Sequence, residues 1–109
     1  YLSKVWKRDF VKVELDNIHK VFESKIRLGI MSALLVNESL DFTALKEFLE
    51  VTDGNLATHL KTLQKNGFIT IKKRFLDNKP NTQYAISKEG RLAFTAHLNA
   101  LEALLKQLK

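Results

Sequence analysis

Residues 42–87 read FTALKEFLEVTDGNLATHLKTLQKNGFITIKKRFLDNKPNTQYAIS, and the order of elements in this stretch decides the fold. A short apolar helix pattern comes first, with Leu45, Phe48 and Leu49 spaced to face inward. Thr43 is placed to cap it, over Ala44 to Glu50, and Val51-Thr52 makes a tight turn. Thr52 or Asp53 then caps a second helix that runs to Asn66 and stops at Gly67, the residue type that tolerates a left-handed helix end. Two strand patterns follow. From Phe68 to Phe75, Ile69 and Ile71 point one way and Thr70 and Lys72 the other. Thr82 to Ile86 returns with Tyr84 and Ile86 on one face. The run Asp77-Asn78-Lys79-Pro80-Asn81 between them is a dense turn signal, so a hairpin with a longish loop is expected.

Working outward, Ser24 is the expected N-cap of a helix from Lys25 to Val36. Its apolar stripe (Ile26, Ile30, Ala33, Leu34) is widened by Leu28, Met31 and Leu35, the pattern of a helix buried on most sides. Gly29 in its middle costs ~1 kcal/mol against alanine, and close helix packing is one reason to keep it. Asp16 is placed to cap a short turn carrying Ile18, Val21 and Phe22, and a short strand is expected at Leu40 to Phe42. In residues 1–15, Leu2, Val5, Trp6, Phe10 and Val13 share a helical face, while Val11, Val13 and Leu15 alternate with charges. The expectation is an N-terminal helix or arm that loosens near Val11, with Trp6 packing against a partner subunit. At the other end Ser87, followed by Glu89 and Gly90, opens a helix over 88–109. Phe94, Leu98, Leu101, Leu105 and Leu108 are spaced as a short heptad seam, and Leu92 and Leu104 lie off it, placed to pack on the domain. A helix of about 20 residues spans ~30 Å and overruns a small domain. An exposed leucine seam is a liability, so a homodimer through this helix, helped by residues 1–15, is expected.

Composition bounds the remaining choices. A chain of 109 residues with 45% hydrophobic content forms one domain with a real core. The net charge of +6 and pI near 9.7 favour a polyanionic partner. The absence of cysteine excludes disulfides, thiolate metal sites and thiol switches, and fits a reducing cytoplasm. No apolar run approaches the ~20 residues that span a bilayer. His19, His59 and His97 are dispersed without ligand spacing, so no metal or other cofactor is expected. There is no nucleophile–base set and no phosphate-binding glycine loop, so an enzyme is not expected.

The face of the second helix is more specific. On a wheel of 54–66, Leu56, Leu60 and Leu63 fall within about 60° and face the core. The opposite face holds Gly54, Thr58, Lys61 and Lys65, flanked by Asn55 and Thr62, with Gln64 and His59 nearer the core boundary. Small polar residues early and lysines later suit a helix in a major groove ~12 Å wide. Asn55 and Thr58 are then the candidate base readers, and Lys61 and Lys65 the phosphate contacts. In the hairpin, Lys72, Lys73 and Arg74 are consecutive and Lys79 follows in the loop. Alternation turns one of the three away, Lys73 by expectation, and Arg74 suits a narrow negative groove. Asn81 and Gln83 add backbone hydrogen bonds. The plain alternatives are a solvated helix face and a lysine-guarded sheet edge. Two short helices, a tight turn and a basic hairpin in succession are jointly more specific than either.

From Asp41 to Phe94 the chain resembles the winged-helix transcriptional regulators of the MarR/ArsR type, in their small single-domain group. The resemblance lies in VTDGNLATHLKTLQKNGFIT, against a pattern LTDGNLSxHLxxLExxGYV, and in KPNTQYAISKEG, against KPxTxYxLTxEG. It covers about residues 22–105. It implies an α+β, mainly α, winged helix-turn-helix: helix-turn-helix at 43–67, two-stranded wing at 68–87, C-terminal dimerisation helix at 88–109. It implies that helix 53–66 enters the major groove and that wing 72–83 lies on backbone or minor groove, and it supports Asn55, Thr58, Lys61, Thr62, Arg74 and Lys79 as contacts. His59 falls where histidine is common in the family, as a structural residue or a phosphate contact. Ala57 stands where serine is frequent, so that hydroxyl contact is lost. The expected function is a cytoplasmic, homodimeric, sequence-specific regulator of transcription, with repression as the expected output. Its partner is double-stranded DNA carrying a pseudo-palindromic operator with half-sites ~34–36 Å apart. A small-molecule effector between helices is left open, because no residue set marks its site. The competing reading is a winged-helix protein–protein module whose basic faces serve solubility.

Overall fold

The computed structural model describes residues 18–108. The expectations for residues 1–15, Asp16 and Trp6 therefore lie outside the described residues. The described chain opens on a 3-10 turn, Lys20–Glu23, capped by the His19 side chain, which accepts from the Val21 N–H. Helix α1 (Lys25–Val36) follows, with Ser24 as N-cap accepting from Arg27 N–H. Then come strand β1 (Leu40–Asp41), α2 (Phe42–Leu49) and α3 (Asp53–Lys65). The hairpin β2 (Ile69–Leu76) and β3 (Lys79–Ile86) leads into the long α4 (Lys88–Gln107). The sheet is antiparallel in the order β1-β3-β2, so the short β1 pairs with the base of the hairpin.

Three leucines of α3 (Leu56, Leu60, Leu63) meet Ile30, Met31 and Leu34 of α1 in one core. Leu45 of α2, Phe22 of the 3-10 turn, Phe68 and Ile69 at the start of the hairpin, and Phe94 of α4 complete it. Gly29 has a packing reason. A Cβ built there would stand 2.7 Å from Leu49 Cδ2, so α1 and α2 approach closely because glycine leaves room.

Several expectations are corrected. Asp41, not Thr43, caps α2: its Oδ1 accepts from Ala44 N–H at 2.8 Å. Thr43 lies inside the helix. Phe48 is 66% exposed and does not face inward, because the inward stripe of α2 is Phe42, Leu45 and Leu49, spaced by three and four residues. Leu92 is exposed too, since α4 turns Phe94 and His97 to the core instead. The hairpin loop is shorter than the residues suggest. Asp77 and Asn78 both have positive φ (53° and 65°), the backbone of a two-residue turn whose twist matches its strands. Lys79 and Pro80 are therefore strand residues paired with Leu76 and Phe75. Proline is tolerated there because β1 reaches only Tyr84 and Gln83, leaving the far end of β3 an edge.

Candidate nucleic-acid interface

The turn between α2 and α3 is held from both sides. Glu50 ends α2 in the left-handed region (φ 52°), and Thr52 Oγ1 accepts from Asn55 N–H to start α3. An ion pair between Lys46 Nζ and Asp53 Oδ1, 2.6 Å, crosses the turn. Both groups are largely exposed, so the pair orients more than it stabilises.

On α3 the leucine face is buried, and Gly54, Asn55, Thr58, Lys61 and Lys65 are all exposed on the other side. Among the described residues, no heavy atom beyond the chain neighbours and the helix's own backbone comes within 4 Å of a Cβ built at Gly54, so the start of this face is open there. Thr62 differs from its neighbours. It is half-buried and its hydroxyl donates back to the Thr58 carbonyl at 3.2 Å. His59 is also half-buried, with Nδ1 2.8 Å from Nη1 of Arg27 on α1. Burial, and then the Arg27 charge, hold its pKa below the usual histidine value.

The strand register sorts the basic residues of the hairpin. Lys72 pairs with Gln83, Arg74 with Asn81 and Leu76 with Lys79, so Lys72, Arg74 and Lys79 share one face with Asn81 and Gln83. Lys73, paired with Thr82, lies on the opposite face, as alternation requires. A side-chain network runs along the basic face. Arg74 Nε and Gln83 Nε2 both donate to Asn81 Oδ1, at 3.4 and 2.6 Å. Asn81 Nδ2 donates to Asp41 Oδ2 at 3.4 Å, and Ser39 Oγ donates to Gln83 Oε1 at 3.0 Å. The Asp41 carboxylate thus caps α2 with one oxygen and receives the hairpin with the other. These links to Ser39 and Asp41 were not legible in sequence, because they depend on β1 pairing with β3. Arg27, too, gave no signal beyond a charge at the edge of an apolar helix.

On α4, Phe94 is fully buried in the domain's own core, so it is not free for a seam between copies. Leu98, Leu105 and Leu108 are exposed at 36%, 60% and 78%, and Leu101 is half-buried. Trp6 lies outside the described residues. No group of three His, Cys, Asp or Glu side chains among the described residues is arranged to hold a metal ion. No helix among them is long and apolar enough to cross a membrane.

Residues 26–105 match the family model described as a winged helix DNA-binding domain. An uncharacterized protein of Methanocaldococcus jannaschii is 37% identical over 90 residues, covering 83% of this chain and 98% of its own. A transcriptional regulator homologue from Pyrococcus horikoshii has a similar solved structure, with 29% identity and a TM-score of 0.73, covering 86% of this chain and 98% of that one. A MarR-family transcriptional regulator from Silicibacter pomeroyi shares the fold at 16% identity and a TM-score of 0.62, covering 98% of this chain and 70% of that one.

Proposed function

Because the chain belongs to the winged helix DNA-binding domain family, a family of regulators and not of enzymes, we propose that it is a homodimeric, sequence-specific repressor of transcription. In this reading α3 lies in the major groove and the basic face of the hairpin lies on the backbone or in the minor groove. Asn55 and Thr58 read base edges. Lys61, Lys65 and His59 contact phosphates, and Thr62 contributes its remaining acceptor capacity at the flank. The observation that carries the reading is the coincidence of two surfaces. The face of α3 opposite its buried leucines is polar and basic, and Lys72, Arg74 and Lys79 fall on a single face of the hairpin. The exposed leucines of α4 support dimerisation, because a stripe of Leu98, Leu105 and Leu108 open to water is costly to a monomer. Two copies would set two α3 helices on successive turns of a pseudo-palindromic operator.

The test of the hairpin is salt dependence. Each phosphate contact releases counterions, so log K falls with log salt by about 0.9 per contact. Lys72→Ala combined with Arg74→Ala should weaken binding to duplexes of any sequence and lower the slope by about 2. An unchanged slope and affinity would remove the hairpin from the interface.

A further inference from the structure

We propose that Arg27 is a positioning residue for DNA binding: it fixes the tautomer of His59, so that the imidazole on α3 presents its Nε2–H to a backbone phosphate. This rests on the DNA-binding reading above. Arg27 sits in the first turn of α1, outside the helix-turn-helix. Its Nε donates to the Val21 carbonyl at 2.6 Å, which locks the guanidinium in place. Its Nη1 then stands 2.8 Å from His59 Nδ1. A guanidinium has donors only, so Nδ1 must be the acceptor of that pair. A neutral imidazole with Nδ1 accepting carries its single proton on Nε2. The other tautomer and the imidazolium would both set N–H against N–H.

The outer nitrogen has a place to donate. No buried side-chain nitrogen or oxygen among the described residues lacks a partner. Nε2 of His59, which makes none of the hydrogen bonds described, is therefore at the surface. His59 itself lies on the flank of α3, with Asn55 and Thr62 one turn away on either side, at the border of the exposed polar face. Burial and the Arg27 charge also disfavour protonation of the ring, so it serves as a neutral donor. Such a contact needs no proton uptake on binding, unlike one from an imidazolium formed at the site.

The two ring nitrogens can be tested separately, with a mixed-sequence duplex of about 30 base pairs at low salt, since phosphate contacts do not depend on sequence. His59→Asn offers an oxygen near the Nδ1 position and keeps the Arg27 partner, but is too short to reach a phosphate. It should melt close to wild type and bind the duplex roughly tenfold more weakly. Nitrogen-15 spectra of the wild-type histidines should show His59 protonated on Nε2, with that resonance moving on addition of duplex. Arg27→Met should mix the two tautomers and weaken binding several-fold. A His59 protonated on Nδ1 in the free protein, a resonance indifferent to duplex, or wild-type affinity in His59→Asn would each overturn the proposal. Failure of the wild type to bind any duplex at low salt would bring down the DNA-binding reading with it. Binding with an unperturbed His59 would overturn the His59 phosphate contact and the role given to Arg27, and leave the rest of the DNA-binding reading standing.

Discussion

His97 is one of the most deeply buried polar side chains described, at 3% exposure, and its protonation state matters to the fold. Its Nδ1 accepts the backbone N–H of His19 at 3.1 Å, while His19 Nδ1 accepts from Val21. Phe22 and Phe94 flank the ring at 5.3 and 6.3 Å. Burial, then the neighbouring His19, push its pKa below the ordinary 6.5, and Glu23 opposes them. A histidine whose folded pKa is depressed stabilises the fold fully above its unfolded value and loses that contribution as pH falls through the folded value. The melting temperature should therefore hold between about pH 7 and 8 and drop as pH falls below about 6, with His59 adding in the same direction. His97→Asn, whose Oδ1 lies near the Nδ1 position and can still accept from the His19 N–H, should flatten part of that drop; an unaltered pH profile would contradict the assignment. Residue-level roles of this kind were the least legible. Phe94 and His97 lie a turn apart on a helix whose leucine spacing suggests a seam. Only the crossing of α4 over Phe22 and Phe68 decides which of those positions are core.

At the scale of elements, the junction between hairpin and α4 is tight. Ser87 N–H donates to the Phe68 carbonyl, and Ser87 Oγ donates to the Gly67 carbonyl and caps Gly90 N–H. A Cβ on Gly90 would stand 2.0 Å from the Phe68 carbonyl oxygen, which is backbone and cannot rotate aside. Gly90→Ala should cost roughly 3 kcal/mol or more in urea unfolding, despite alanine's better helix propensity. A variant as stable as wild type would mean that α4 and the hairpin can separate freely. At the start of α3 the sequence allows Thr52 or Asp53, and Thr52 is the cap. Helix starts at Ser24 and Ser87, and the stop at Gly67, were legible because each needs a particular side chain or a left-handed backbone at one position. The start of α2 was not. Asp41 and Thr43 are both competent caps, and the choice is made by β1, which holds Asp41 extended against Gln83. The hairpin turn is hidden in the sequence for a related reason: five turn-forming residues in a row conceal which pair supplies the positive φ angles.

At the scale of the whole molecule, the chain carries a polar and basic surface on α3 and the hairpin and an apolar stripe on α4. Leu105, 60% exposed near the end of α4, makes no part of the core. Leu105→Glu should leave the domain folded and shift the protein to monomer in sedimentation. A persistent dimer would place the interface elsewhere. The fold as a whole was legible, since the leucine spacing of α3, the glycine stop and the β-alternation agree with one another. The candidate contacts on α3 were legible as a face, not as individual roles, because exposure alone does not say which side chain meets a base. The central claim is that this face reads sequence as a pair. It is tested most directly by selecting bound duplexes from a random library and sequencing them. The account predicts an enriched inverted repeat with half-sites about one helical turn apart, and an Asn55→Ala variant whose preference relaxes at one position by ~1–3 kcal/mol. Salt-sensitive binding with no enriched sequence would contradict it.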